Sequence, residues 1–276
     1  MLRRLSSLLA LVLLVPACLI PVQGQPTAPT SEPVPPPGAP TAPDADPAPS
    51  GPAGLTRWNW TLIDCTFVYG LVPADASKVK ALLPPGFLVG GLPLVGFETD
   101  VCASGAGANG TVAPMTYASF WVAVTPPAHL RVPGAVAHFV NFDTLIPDAD
   151  RRGPMVEAGI AARNGTIAES YGPGRSTVDL QLEGFGALHF EIAGGGAPSG
   201  GGAASNFAQY TKAANGTLAR WKTDYRPTQS AQGAGAITLP PGTWLRELFG
   251  ADVVPARFTW GHWSYTNGFV EFPIQP

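Results

Sequence analysis

The chain has 276 residues and a net charge of −3, and only 13% of its residues are charged. It contains no basic stripe, which argues against nucleic acid as a partner. The 33 glycines and 31 prolines favour turns and loops over a helical bundle.

The first 24 residues have the pattern of an export signal. Arg3 and Arg4 precede an apolar run at residues 5–15, which is shorter than the roughly 20 residues that span a bilayer. Two cleavage sites fit the sequence. Cleavage after Ala17 would leave Cys18 as the lipidated first residue of a lipoprotein, whereas cleavage after Gly24 would release a soluble secreted protein. Both interpretations predict an exported protein, which contacts a membrane only through an N-terminal lipid anchor if it does so at all.

Residues 25–54 are rich in proline and alanine and poor in side chains that can form a core. Such composition predicts a disordered, extended linker. The folded domain is therefore predicted to be a single unit at residues 55–276, which is long enough for a substantial core.

The first half of that domain is predicted to contain mainly strands. We expect strands at residues 61–69, 94–102, 117–124 and 136–145, because apolar and polar residues alternate there. A short helix is predicted at residues 74–83, with Asp75 as its cap and Pro84 after its end. Residues 154–163 remain ambiguous and have some helical character.

The second half is predicted to alternate hairpins and loops. Residues 178–182 and 187–193 form a predicted hairpin around Gly184-Phe185-Gly186. Strands are also expected at residues 218–224 and 236–239. A short helix capped by Thr243 is expected to run through Phe249, with Gly250 after its end. Residues 257–263 and 269–272 form a last predicted hairpin across Asn267-Gly268. The whole pattern predicts a mainly β domain with a few short helices, of the α+β class.

Cys65 and Cys102 are the two cysteines of the predicted domain. Outside the cytosol two such thiols tend to pair, so a disulfide is one interpretation and a buried free thiol is the other. No C-x-x-C or H-E-x-x-H pattern occurs, and no metal site is predicted.

The order of several motifs resembles the acetoacetate decarboxylase-like superfamily. The motifs are VPADASKVKALLPPGF, PLVGFETD, TYASFWVAV, HFVNFDTLIPD and LEGFGALHFEI, spread over residues 61–192. The resemblance implies curved antiparallel sheets or a β-barrel around a central cavity. It places Glu98 at a glutamate of that family, and Ser119 or Ala118 at a second one.

In that family a lysine forms a Schiff base with a β-keto acid. The best match for its segment is residues 155–164, which places Glu157 at a family glutamate, Arg163 at the lysine and Asn164 beside it. A guanidinium stays protonated and cannot form the imine, so this chain is expected to lack the family's chemistry at that position.

These matches give the candidate ligand-binding residues Glu98, Glu157, Arg163 and Asn164. His138 is a fifth candidate, because it lies in a predicted strand with a face toward the interior. No catalytic residue and no cofactor are assigned.

Three functions fit the sequence. The leading hypothesis is an exported protein that binds a small organic acid or apolar ligand in a cavity without imine catalysis. The second is an active enzyme, a decarboxylase or other carbon–carbon lyase with a displaced catalytic group such as Lys212 or Lys222. The third is an interaction module of the cell envelope, which the proline-rich linker favours.

Overall fold

The computed structural model describes residues 56–106, 112–172, 174–194, 197–199 and 205–274. The predicted signal segment, Cys18 and the predicted linker lie outside these ranges. All described residues belong to one folded unit.

Twelve strands and three α-helices are found in the described residues. The strands are β1 Thr56–Pro73, β2 Leu88–Val89, β3 Leu94–Ala106, β4 Val112–Thr125, β5 Ala137–Leu145, β6 Ala162–Arg163, β7 Gly165–Gly172, β8 Arg175–Leu182, β9 Gly186–Ala193, β10 Ser205–Lys212, β11 Leu218–Thr238 and β12 Val253–Ile274. The helices are α1 Ala76–Leu82, α2 Ala149–Glu157 and α3 Trp244–Phe249. The prediction of a mainly β domain with a few short helices is confirmed.

All twelve strands belong to one mixed sheet. Its hydrogen-bonded order is β10-β5-β4-β3-β1-β12-β11-β9-β8-β7, and β10 also pairs with β11. Most neighbours are antiparallel, while β5 pairs in parallel with β6 and with β10. The short strand β2 pairs with β4. The finer prediction, a barrel or curved sheets around a central cavity, stays a prediction.

The helix ends follow the local sequence signals. The side chain of Asp75 accepts hydrogen bonds from the backbone N–H groups of Ser77 and Lys78, which caps α1 as predicted. Helix α3 ends at Gly250, whose φ of 68° is readily adopted by glycine. Thr243 precedes α3 as predicted, but its hydroxyl donates to the carbonyl of Pro240 instead of capping the helix.

The predicted hairpin across Asn267-Gly268 is wrong. Residues 253–274 form one continuous strand, β12, in which Asn267 is paired with Thr61 on one side and with Asp224 on the other. An Asn-Gly pair favours a tight turn only when no neighbouring strands hold the backbone extended. Here β1 and β11 hold the backbone extended along most of the length of β12. This pairing with distant strands therefore outweighs the turn preference of Asn267-Gly268.

The sheet carries a separate apolar cluster on each face. One cluster contains Phe97, Phe120 and Phe190, and the other contains Cys102, Tyr117 and Trp263 among others. Side chains alternate along a strand, so β3 contributes Phe97 to one cluster and Cys102 to the other.

Strand β1 changes its alternation at Asp64. This residue has a φ of 52°, a left-handed value that aspartate tolerates better than most side chains. Leu62 is therefore buried in the same cluster as Cys65 and Phe67, while Ile63 is exposed. A regular strand would have placed Ile63 on the face of Cys65.

Cys65 and Cys102 lie directly opposite each other in β1 and β3, and their sulfur atoms are bonded in a disulfide. Both residues are buried, and 37 residues of sequence separate them. The bond links two adjacent strands within the apolar cluster that contains Tyr117.

The double variant Cys65→Ser/Cys102→Ser is expected to lose about 2–4 kcal/mol of unfolding free energy, because the crosslink limits the unfolded chain. Urea denaturation of the oxidised protein and the variant measures the difference. The reduced wild-type protein should match the variant. Equal stability of all three samples would contradict the prediction.

No helix in the described part of the chain is long and apolar enough to cross a membrane.

Candidate functional site

Two carboxyl groups on β3 face the interior side by side. Glu98 and Asp100 are two residues apart, so their side chains share one face of the strand. Both residues are buried, with 7% and 1% of their surface exposed. The strand register places Glu98 opposite Ser119 of β4, and Asp100 opposite Tyr117.

The hydroxyl of Ser119 donates a hydrogen bond of 3.0 Å to Glu98 Oε2. The two residues that the sequence left open at the second family glutamate lie on opposite faces of β4. Ser119 shares the face of Glu98, whereas Ala118 is buried in the cluster on the opposite face. Of these two residues, only Ser119 presents a polar group to Glu98.

Glu98 and Asp100 line a narrow cleft between β1, β3, β4, β10, β11 and β12. The other lining residues are mostly aromatic: Leu62, Tyr69, Tyr117, Phe207, Gln209, Trp221, Thr223 and Trp263. Its free volume is about 30 Å³, which is room for about one or two water molecules. We call this space the acidic cleft.

Burial controls the ionisation of the acidic side chains in the cleft. It raises the pKa of Glu98, an effect that the hydrogen bond from Ser119 partly offsets. Burial raises the pKa of Asp100 well above its usual range, and the charge of Glu98 adds to that rise. Burial likewise raises the pKa of the Tyr117 phenol well above its usual range, so this group stays neutral. The two acids therefore retain protons more readily than exposed carboxyl groups do.

These raised pKa values predict a pH-dependent stability. At a pH just above 4, where unfolded carboxyl groups ionise, the folded chain still holds protons on Glu98 and Asp100. The contribution of these two acids to the free energy of unfolding is present at low pH and is lost as the pH rises through their folded-state pKa values. We expect the free energy of unfolding to fall as the pH rises above about 4.5, as measured by urea denaturation.

The double variant Glu98→Gln/Asp100→Asn should show a flatter pH profile, because its amides do not titrate. Glu169 and Asp143, on the opposite face of the sheet, also have raised pKa values because of burial and should supply a residual slope. A variant with the full wild-type slope would exclude the two acids as its source.

Of the five candidate binding residues from the sequence, Glu98 lies in the acidic cleft and Arg163 lies on the other side of the sheet. Cross-strand neighbours share a face, and the register runs from Thr99 through Ala118 and Leu145 to Arg163. Thr99 follows Glu98 directly, so the Arg163 side chain is on the face opposite the cleft.

Arg163 instead forms an ion pair with Asp143. Its Nε donates to both carboxylate oxygens of Asp143, at 2.9 and 2.7 Å. The guanidinium also lies 5.3 Å from the centre of the Phe185 ring. Burial raises the pKa of Asp143, and the hydrogen bonds from Arg163 partly offset that rise. Ala162, the residue before Arg163, packs against the apolar cluster that contains Tyr117, which we call the cleft-side cluster. Its side chain has no amine.

The remaining three candidates also lie away from the cleft. Glu157 is exposed at the end of α2, and Asn164 is exposed next to the start of β7. His138 Nε2 accepts a hydrogen bond of 3.3 Å from the Val132 N–H, and its ring stacks on Tyr210. Burial lowers the pKa of His138, with a further effect from the charge of Arg131. These residues are thus not brought together with Glu98.

None of the four lysines lines the acidic cleft. Lys78 donates to the carbonyls of Glu247 and Leu248, and Lys80 and Lys212 are exposed. Lys222 lies between Trp221 and Thr223 in β11, so its side chain points to the face opposite the cleft.

A larger cavity of about 690 Å³ lies on the opposite face of the sheet. Its lining includes Thr66, Tyr171, Trp260 and His262. The hydroxyls of Thr66 and Tyr171 both donate to Glu169, at 3.0 and 2.8 Å. These two polar groups already have partners within the protein, so they give no indication of which ligand the cavity would take.

The sequence analysis did not assign Asp100, Tyr117 or Trp221 to a site. A signal for Asp100 was present, since it follows Glu98 at the two-residue spacing of one strand face. No comparable signal exists for Trp221, because its strand is far away in sequence and reaches the cleft through the pairing of β11 with β10 and with β12.

No family model matches the sequence, and no curated protein matches it. Solved structures do resemble the fold. The enduracididine biosynthesis enzyme MppR, complexed with the condensation product of pyruvate and imidazole 4-carboxaldehyde, has a TM-score of 0.51 at 13% identity and covers 78% of this chain and 87% of its own. An acetoacetate decarboxylase from Legionella pneumophila has a TM-score of 0.49 at 15% identity, covering 82% and 90%. At such identities the likeness concerns the fold alone.

Proposed function

We propose that this protein, whose chain has the acetoacetate decarboxylase-like fold, binds a small ligand in the acidic cleft without imine catalysis. The observation that carries the proposal is the cleft itself. Two buried carboxyl groups, Glu98 and Asp100, meet there among aromatic side chains. Ligand sites commonly combine such apolar walls with a few converging polar groups.

The case against imine catalysis rests on the missing amine. A Schiff base needs a lysine at the reacting carbon. Ala162 packs on the cleft-side cluster, and Arg163 is paired with Asp143 on the other face. The four lysines are described residues, and none of them lines the cleft.

Borohydride trapping tests whether the protein lacks imine catalysis. The protein is incubated with acetoacetate, reduced with sodium borohydride and digested, and the peptides are examined by mass spectrometry. We expect no lysine to carry the reduced adduct, while an imine-forming lyase treated in parallel does. An adduct on Lys212 or Lys222 would establish imine chemistry and overturn the proposal.

A binding screen tests whether the acidic cleft binds a small ligand. Small acids, amines and neutral compounds are compared by the rise in melting temperature that each produces, since a ligand that binds the native state stabilises it. We expect the rise to be lost in Asp100→Asn and retained in Arg163→Ala. Loss of the effect in Arg163→Ala alone would move the site to the opposite face.

We also propose that the protein is exported, on the basis of the sequence of residues 1–24. Expression in a bacterial host followed by intact-mass measurement distinguishes the two forms. A lipid-modified mass that disappears in Cys18→Ala indicates a lipoprotein, whereas a mature chain that begins at Gln25 indicates a secreted protein. A chain that retains Met1 contradicts export.

A further inference from the structure

We propose that the ligand of the acidic cleft is a small organic amine in its protonated form, with its ammonium group at Asp100 and Glu98. This inference rests on the proposed function, because it names the ligand class of the same site. It departs from the organic acid that the family resemblance suggests.

The first argument is the state of Asp100. The residue is 1% exposed and lines the cleft, and neither of its carboxylate oxygens has a hydrogen-bond donor among the described residues. The carboxyl group of Glu98 acts on it more strongly than any other charge does, and a hydrogen bond between the two forms only when one of them is protonated. Buried acceptors are almost always satisfied, so this group calls for a donor from outside the chain.

The second argument is the charge of the lining. It includes two acids and no lysine, arginine or histidine. A carboxylate ligand would find no cation to offset its charge, and any ionisation of the two acids would add like charge beside it. An ammonium group supplies three donors and the opposite charge.

The third argument is the aromatic wall. Tyr69, Tyr117, Trp221 and Trp263 surround the two acids. Tyr69 and Trp263 stand edge to face with ring centres 5.8 Å apart. Aromatic faces attract organic cations and also cover their carbon atoms. A metal ion is a poorer fit than an ammonium group, since no three potential metal ligands are grouped among the described residues.

The small volume limits the size of the bound group. About 30 Å³ is free beside the acids, which admits an ammonium head with few carbon atoms. One water molecule would also fit, and it could donate to Asp100. The experiment must therefore separate an amine site from a hydrated acid pair.

Proton release on binding distinguishes an amine site from a hydrated acid pair. The titratable groups around Asp100 are Glu98 on its own strand, Tyr117 on β4, Tyr69 on β1, and Glu169 from the opposite face. Burial raises the pKa values of both cleft acids, so the empty cleft holds protons that a bound ammonium displaces. Affinity for an amine should then increase with pH, by up to about tenfold per unit for each proton released.

Isothermal titration calorimetry of the whole protein tests the inference, with ethylamine, ethanol and acetate as probes at pH 6 and pH 8. We expect ethylamine to bind, ethanol and acetate to bind at least about tenfold more weakly, and the ethylamine affinity to rise at the higher pH. Titrations in two buffers of different ionisation enthalpy should report proton release. The variant Asp100→Asn should lower the affinity about tenfold or more.

The control is Asp179→Asn, which removes an exposed carboxyl group paired with His189 and should leave binding unchanged. If Asp100→Asn fails to fold, Glu98→Gln serves as the second variant. Equal binding of all three probes, or preferred binding of acetate, would overturn the amine assignment and leave the binding function intact. Absence of binding by every probe, together with no stabilising compound in the screen, would overturn both.

Discussion

The variant Arg151→Met is expected to lose about 3–5 kcal/mol of unfolding free energy, because each buried acceptor left without a donor costs about 1–3 kcal/mol. Arg151 is 1% exposed. Its guanidinium donates to the carbonyl of Gly105 at 2.6 Å and to those of Ala113 and Pro114 at 3.1 Å each. It thereby ties helix α2 to the ends of β3 and β4.

Methionine keeps much of the apolar stem but supplies no donor, so the variant removes the hydrogen bonds together with the 4.0 Å ion pair with Asp148. Urea denaturation at pH 7 measures the change. Arg175→Met is the matched control, since that side chain is 64% exposed and forms a surface ion pair with Glu191. We expect the control to change stability by less than about 1 kcal/mol. Similar losses in the two variants would show that the carbonyls do not depend on Arg151.

The variant Phe97→Ala should cost a similar amount, about 3–5 kcal/mol, through the cavity it leaves. The ring is fully buried and lies with its centre 5.5 Å from Phe120, 6.0 Å from Phe190 and 6.3 Å from Phe249. It connects β3 with β4, with β9 and with helix α3. Because Glu98 is the next residue, the same loss of packing should also weaken ligand binding at the cleft.

Thermal and urea unfolding measure the stability, and the ethylamine titration measures the binding. Leu92→Ala provides the control, since Leu92 is 59% exposed in the same part of the chain and should change stability by less than about 0.5 kcal/mol. A Phe97→Ala protein as stable as the control would mean that the core closes over the deleted ring.

The family resemblance found in the sequence is confirmed at the level of the fold. Strand β3 shows why the resemblance could be recognised from the sequence, since the alternation of residues 94–102 and the motif PLVGFETD both depend on residues close together in the chain. The likeness to MppR, with a TM-score of 0.51 at 13% identity, concerns the fold and not the individual motifs. The match of Arg163 to the lysine, in contrast, depended on a segment in which α2 and the two-residue strand β6 follow each other closely. A one-residue difference there turns a side chain to the other face of the sheet.

The amino-acid sequence by itself determined the mainly β architecture, the cap of α1, the hairpin of β8 and β9, and the shared face of Glu98 and Asp100. These features depend on residues close together in the chain, through the two-residue period of strands and the preferences of caps and turns.

Tertiary structure alone decided the continuity of β12, the shift of alternation at Asp64, and the opposite faces of Glu98 and Arg163. Only the folded chain brings Trp221 and Trp263 to the acids of β3, across separations of more than 120 residues. The physical reason is that strand pairing and burial are set by distant partners, whose hydrogen bonds and apolar contacts outweigh a local turn preference.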